Sequence, residues 1–589
     1  MSINAAKGKH FMLMDVKQAY LQTENKLGHH MVLSKQETAV LIKLKPEWAR
    51  YVRKNGEILV KVKKSIYGLK ESGRLWYEEF AKRATEYPGV KVNPVDVCFM
   101  GNGSLGMCVY VDDNLVCGTL DELQGFKTHM EKYFGDMVCS KVDDFAYLGM
   151  HVTIIGGKVE LKADTYCKKL VADNSSLITK EYNTPCNKNL FIETEPETEL
   201  PQKLKEQFHS VVASLLYIAI RVRLDILLAV VYLATRVHNT TQEDVDKLSR
   251  VLGYLKRYPT RHMILKVDDP TNLVMRAYAD ASYGIYSQGR NSQTGIFVTL
   301  GIGCIIGKSV KQKLTAVSST ESEISALSQM VRMVLGLIQF LEAQGENVEN
   351  MKVILFEDNS SAIQMIKNGR ALSEGTKHIS IHKFFIKQHL TPEGRLELRQ
   401  CTTIEQIANG FTKPLSLNEF IRFLVDIGMK VVDDEDSGKS KSITLLHDGT
   451  GALYLLQIDI ASTNLFSVHF MDSDLGSVFE GPVPSRTTNE SVATFQISER
   501  KDYSNTEGRR LLALVNNSSN KSNDKETAAV TGRSQDSEGW KTDGSGTNNL
   551  VQSSREEKQQ AAAPALVRTN NEHSSSAELQ IQQQHQVDK

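Results

Sequence analysis

One stretch constrains the rest of the chain more than any other: residues 105–117, LGMCVYVDDNLVC. The apolar, β-branched flanks on either side of Asp112 and Asp113 have the length of strands. The spacing therefore predicts a tight hairpin with the two acids at its tip. Neighbouring carboxylates at a turn repel each other, and a cation between them removes that cost. Hard oxygen ligands suit Mg²⁺, the ion that activates and holds phosphate oxygens. A bare Asp-Asp turn is ordinarily a solvated turn. What separates this one is Tyr110 and Val111 just before it, and Asp15 far upstream at the end of the apolar run Phe11-Met-Leu-Met14. That run reads as a buried strand carrying Asp15 at its C-terminal end.

The box Tyr110-Val111-Asp112-Asp113 resembles the catalytic box of reverse transcriptases. Residues 14–21, MDVKQAYL, are similar to the first metal-binding motif of that family. Residues 64–77, KSIYGLKESGRLWY, are similar to the segment between those motifs in copia-type LTR retrotransposons. With three boxes in the right order, the chain resembles a copia-type Pol fragment up to about residue 430. The resemblance implies that Asp15, Asp112 and Asp113 hold two Mg²⁺ (or Mn²⁺) ions about 4 Å apart. It also implies that Tyr20 excludes the ribose 2′-hydroxyl and that Gly68, Lys70 and Tyr110 line the substrate site. Gly68 lets backbone approach template or nucleotide. The resembling elements carry a neutral amide where this chain has Glu71, and an acid near phosphates weakens nucleotide affinity.

A second site follows from residues 275–284, MRAYADASYG, then 318–327, SSTESEISAL, then 353–359, VILFEDN. These predict a strand ending in Asp280, a helix bearing Glu323, and another strand ending in Asp358. The helix carries an apolar stripe at Ile324, Leu327, Val331, Leu335, Ile338 and Leu341. Strand-Asp, helix-Glu, strand-Asp resembles the metal constellation of ribonuclease H, with Asp280, Glu323 and Asp358 as catalytic ligands. Lys377 and His378, in the TKHI run, either touch the backbone of an RNA–DNA hybrid or cap a helix. The fourth acid of the family pattern is replaced by Asn409, an amide and a poorer Mg²⁺ ligand. Glu405, four residues earlier on an expected helix, is a candidate substitute.

Fold class follows as α+β. A ferredoxin-like polymerase palm is expected over residues 1–165, with its fingers largely missing. Connector, thumb and connection helices are expected over 166–270, and an α/β ribonuclease H-like domain over 271–430. Residues 431–484 are unassigned, and 485–589, rich in Ser, Thr, Asn and Gln, read as a disordered tail. Residues 147–153, YLGMHVT, are expected to form one strand closing the palm, and strands are expected at 295–300 and 303–307. The most apolar run, residues 211–237, holds Arg221, Arg223 and Asp225 at its middle, which is too costly for a membrane span. Buried helices are expected there instead.

Lys plus Arg equals Asp plus Glu at 70 each, so net charge does not point to nucleic acid. The distribution does. Residues 43–91 carry 13 Lys or Arg against 6 Glu, interleaved with Trp48, Tyr51, Trp76 and Tyr77. That pattern predicts a surface that follows a phosphate backbone, with aromatic platforms. The eight cysteines include no Cys-x-x-Cys pair, so no zinc ribbon is expected.

The resemblance implies an RNA-directed DNA polymerase with ribonuclease H. Its substrates would be an RNA template, a DNA primer, deoxynucleoside triphosphates and the RNA–DNA hybrid. Other retroelement proteins are possible partners, and the setting is a cytoplasmic virus-like particle or the nucleus. The competing expectation is a truncated, catalytically inactive remnant that at most binds nucleic acid.

Overall fold

In the computed structural model, residues 1–193, 199–368, 377–390, 395–430, 441–447 and 453–459 are described; for 377–378, 441–447 and 453–459 this covers backbone only. The chain divides after Ser485, and all described residues lie in the first unit. The expected disordered tail lies outside them.

The strand His10–Asp15 sits at the heart of the first layer. Its run of apolar residues is continuous because both faces are covered. Met12 and Met14 pack in one core with Trp76, Phe80, Phe126 and Phe134, while Phe11 packs in another with Leu115, Phe145 and Val152. The sheet orders Lys91–Val92, Phe99–Gly101, Gly106–Tyr110, Asp113–Gly118, His10–Asp15 and Val138–Lys141, each antiparallel to its neighbours. Helices Ser72–Thr85 and Leu120–Phe134 supply the aromatic cover. The second helix starts at a capping box between Thr119 and Glu122, which satisfies otherwise orphaned first-turn N–H groups. This is a palm-like α+β layer.

A second sheet orders Gly301–Ile302, His262–Val267, Lys158–Lys162, Met150–Ile155 and Asp144–Tyr147, with Met429–Lys430 paired to His262–Val267. It draws strands from segments that the sequence divides among palm, connection and nuclease. The expected single strand at 147–153 is instead a hairpin. Leu148 and Gly149 both have positive φ, 47° and 72°, the backbone of a two-residue reversal. It lies in this second sheet, not in the palm.

Helices Gln202–Ala219, Leu227–Ala234 and Gln242–Arg257 form the expected helical layer. Of the charges in its apolar run, Arg223 and Asp225 are paired, with Nη2 2.8 Å from Oδ2 and both side chains fully buried, while Arg221 Nη1 donates to Tyr217 O at 2.9 Å. Tyr254 Oη donates to the same carboxylate at 2.7 Å.

The third sheet orders Ile306–Lys311, Gln293–Thr299, Val274–Ser282, Lys352–Glu357 and Leu396–Gln400. The first three are antiparallel; the last two run parallel to Val274–Ser282. The expected strand at 303–307 is displaced, because Gly301–Ile302 turns into the second sheet before Ile306 resumes pairing. Helix Ser319–Ala343 covers one face with Ile324, Leu327, Val331, Val334, Ile338 and Leu341 buried; Leu335, expected in the stripe, is half-buried. By length and composition alone it could cross a membrane, but here it is the core helix of this layer.

Two candidate active sites

The palm site is fixed by strand register. Tyr110 pairs with Asp113, so Val111 and Asp112 form a two-residue reversal. Val111 has φ 56°, a strained backbone for a β-branched residue, and such strain persists only where surroundings enforce it. Two contacts do so. Trp76 Nε1 donates to Val111 O at 2.7 Å. Asn114 Nδ2 lies 3.1 Å from Asp112 O and 3.2 Å from Met14 O, tying the hairpin to the strand that bears Asp15.

Asp15 is the register partner of Asp113, and directly opposed residues present their side chains on one face. Asp112 is the second residue of the reversal, directly before Asp113. Among the described residues these three acids do not form a group whose ligand atoms all lie within 4.8 Å of one another.

Tyr20 lies in the short 3-10 helix Ala19–Gln22. Its ring is 4.6 Å from that of Tyr67, which brings the turn containing Gly68 up to it. Burial pushes the Tyr20 hydroxyl up, and Tyr67, Asp112 and Tyr110 add to the shift. Gly68 has φ 95° and open space where a Cβ would point. Lys70 and Tyr110 are exposed. Glu71 faces His29, with Oε2 3.8 Å from Nε2.

The aromatic expectation needs correction. Trp76 is 1 % exposed and serves the hairpin and the core, so it is not a platform for bases. Tyr77 donates from Oη to Val97 O at 2.9 Å. Tyr51, by contrast, is 55 % exposed, in edge contact with Trp48.

The second acidic site is assembled more tightly. Asp280 near the end of its strand, Glu323 in the first turns of the long helix, and Asp358 just past Lys352–Glu357 offer ligand atoms all within 4.8 Å of one another. Asp280 and Glu323 are buried. Burial pushes Asp280 up, with Asp358 adding to it and Lys413 and Thr412 opposing. Burial pushes Glu323 well above the ordinary carboxylate range, and Asp280, Glu357 and Asp358 raise it further. Such mutual repulsion disfavours the ionised trio unless a cation compensates. Glu323 Oε2 is buried with no hydrogen-bond partner, so a divalent ion fits the oxygen donors present.

Asp280 is braced from one side. Thr412 Oγ1 donates to Asp280 Oδ2, and Lys413 Nζ stands 4.0 Å from the same oxygen. The turn carrying Thr412 reaches Asp280 because Gly295, its register partner, has no side chain. A Cβ there would lie 2.7 Å from Ala408 O and from Thr412 Cγ2.

Asn409 sits in the 3-10 turn Ile407–Phe411, not on a helix shared with Glu405. Its Nδ2 donates to Thr403 O at 2.8 Å, and its Oδ1 is buried without a partner. Glu405 is exposed and accepts from Thr402 N at 2.8 Å and Thr402 Oγ1 at 2.9 Å. It therefore caps a turn and does not substitute for the missing acid. Lys377 opens the helix Lys377–His389; the side chains of Lys377 and His378 lie outside the described residues.

Contributors missed from sequence include Thr412 and Lys413 beside Asp280, and also Asn114, Trp76 and Glu357. Asn114 directly follows the acid pair, and Trp76 lies in a motif already singled out, but neither position announces its hydrogen bond. Glu357, buried beside Asp358, was hidden by reading only the last acid of its strand.

Residues 1–188 match the family described as reverse transcriptase (RNA-dependent DNA polymerase). The chain is 28 % identical over 383 residues to the retrovirus-related Pol polyprotein from transposon RE1 of Arabidopsis thaliana, covering 63 % of this chain and 25 % of that one. It is 27 % identical over 381 residues to the Pol polyprotein from transposon TNT 1-94 of Nicotiana tabacum, covering 62 % and 28 %. The chain thus spans about a quarter of the length of the curated relatives it matches. Among solved structures, LC11-RNase H1 isolated from compost is 16 % identical, covers 24 % of this chain and 93 % of its own, and has a TM-score of 0.18.

Proposed function

We propose that this chain, a copia-type Pol fragment by sequence, is an RNA-directed DNA polymerase segment with an associated ribonuclease H. It would copy an RNA template from a DNA primer using deoxynucleoside triphosphates, then cut the RNA strand of the hybrid. One observation carries the reading: Asp280, Glu323 and Asp358 converge within 4.8 Å from three elements of one sheet-and-helix layer.

Mg²⁺ or Mn²⁺, when bound, would activate the attacking water and stabilise the leaving oxygen. The protein's own part is positional. Asp280, Glu323 and Asp358 would hold the ions, Thr412 fixes the rotamer of Asp280, and Lys413 limits the net negative charge facing a phosphate. In the palm, Asp15, Asp112 and Asp113 would serve the polymerase ions, with Trp76 and Asn114 holding the hairpin. Tyr20, backed by Tyr67, would occupy the volume of a ribose 2′-hydroxyl. The setting would be a virus-like particle in the cytoplasm, or the nucleus, in the company of other retroelement proteins.

The test is a hybrid labelled on its RNA strand. Metal-dependent cleavage of the RNA, lost in Asp280→Asn while hybrid binding persists, supports the nuclease. A second reading, an inactive nucleic-acid-binding remnant, is favoured by the amide at Asn409. Hybrid binding with neither cleavage nor primer extension at any Mg²⁺ or Mn²⁺ concentration would establish it.

A further inference from the structure

Glu357 is an acid that the ribonuclease H resemblance does not use. It ends the strand Lys352–Glu357, whose Val353 and Leu355 are buried in the same core as helix Ser319–Ala343. Alternation along a strand puts Glu357 on that same face, toward the helix that bears Glu323. It is fully buried, at 0 % exposure. Its Oε1 accepts from the backbone N–H of Asn359 at 3.0 Å, while Oε2 has no partner. The charge of Glu357 acts on Glu323, and those of Asp358 and Asp280 act on Glu357.

Buried polar atoms without partners are rare in folded proteins, and each asks for an explanation. Among the described residues eight side-chain atoms are in this condition. Two of them belong to the one acidic group, Glu323 Oε2 and Glu357 Oε2. A residue needed only to cap the turn at Asn359 would require a single acceptor and no charge. A second carboxylate oxygen left open in a buried position is costly unless a cation or its water meets it.

We propose that Glu357 is a metal-positioning carboxylate, whose Oε2 accepts from a water of the ion held by Asp280, Glu323 and Asp358 and supplies the negative charge that Asn409 lacks. The contact runs through water because Glu357 stands outside the group whose ligand atoms all lie within 4.8 Å. With it, four carboxylates face the ion, the three of the converging group plus one. The assignment rests on the nuclease reading above.

The experiment titrates the full chain with Mn²⁺ and follows free Mn²⁺ by electron paramagnetic resonance. Binding that disappears in Asp280→Asn defines the site. Glu357→Gln keeps an acceptor for the Asn359 N–H but loses the charge, and Glu357→Thr does the same with a shorter side chain. Both are expected to weaken the Asp280-dependent binding by about 10-fold or more, the usual cost of losing an outer partner. Without metal, their melting temperatures should equal or exceed that of the parent, since a buried acid has gone. Adding Asn409→Asp to Glu357→Gln should recover part of the affinity. Unchanged Mn²⁺ affinity in both variants would overturn the proposal while leaving the nuclease site intact. Failure of both variants to fold without metal would overturn it too, by showing that Glu357 is structural. If the parent shows no Asp280-dependent binding, the nuclease reading itself falls, and this proposal with it.

Discussion

Asn409→Asp exchanges the side-chain NH2 for a carboxylate oxygen, and its effect should reverse sign with metal. In the parent, Asn409 Nδ2 donates to Thr403 O at 2.8 Å. Thr412 Oγ1 lies within hydrogen-bond reach of both Asn409 O and Asp280 Oδ2, so position 409 is one side chain away from the trio. An Asp there loses the donor and sets a carboxylate against the Thr403 carbonyl in a buried site. Without a cation this should cost about 1–3 kcal/mol. For a unit of roughly 150–250 residues that is a fall in melting temperature of roughly 2–12 °C. With Mg²⁺ the new carboxylate gains a partner, so the deficit should shrink or vanish. RNA cleavage at low Mg²⁺ should rise about 10-fold, corresponding to about 1.4 kcal/mol of transition-state stabilisation. Calorimetry in EDTA and in Mg²⁺, together with cleavage across a Mg²⁺ titration, reads both halves. Equal melting in EDTA and superimposable cleavage curves would refute a role for position 409 in metal binding. Glu405→Gln, which only releases a turn cap, should be silent in either background.

Gly295→Ala should destabilise the nuclease layer by about 1–3 kcal/mol and reduce cleavage more than hybrid binding, because its Cβ would push the Thr412 turn away from Asp280; unaltered cleavage would show that the turn is dispensable. Asp112→Asn should abolish Mg²⁺-dependent primer extension and leave RNA–DNA binding within a few fold, as measured by gel extension and fluorescence anisotropy. The raised carboxyls of Glu323, Glu357 and Asp280 give a pH dependence of definite sign. The folded chain holds protons that the unfolded chain releases near its ordinary carboxylate range. Metal-free stability should therefore fall as pH rises from about 4–4.5 through the raised folded values. Millimolar Mg²⁺ should flatten that slope in a thermal-melt series, and a slope of opposite sign would contradict the buried-acid description.

The two sites differed in how much of them the sequence disclosed. Periodicity made legible that Asp15, the hairpin acids and the Asp280–Glu323–Asp358 series lie at the ends of strands or near a helix start. Their reading as two sites came instead from the resemblance to the reverse transcriptase and ribonuclease H motifs. The strand at 147–153 was misread because apolar residues continue straight through Leu148, and only positive φ at Leu148 and Gly149 reverses the chain. Trp76 was misread as a platform because a basic neighbourhood says nothing about which way a helix turns its aromatic face; tertiary packing turned it inward, onto Val111. Glu405 failed as a ligand because a 3-10 turn replaces the expected helix, which breaks the i, i+4 relation to Asn409. Glu357 was invisible for a different reason. A buried acid one residue before a ligand looks like an ordinary solvated neighbour until the strand's alternation is seen to point it into the core.

The central claim is that Asp280, Glu323 and Asp358 form one metal site, and anomalous scattering from Mn²⁺-soaked crystals tests it most directly. A Mn²⁺ peak is expected between those three carboxylates in the parent and none there in Asp280→Asn. A parent whose trio stays free of Mn²⁺ at millimolar concentration, or whose strongest peak lies elsewhere on the nuclease layer, would contradict it.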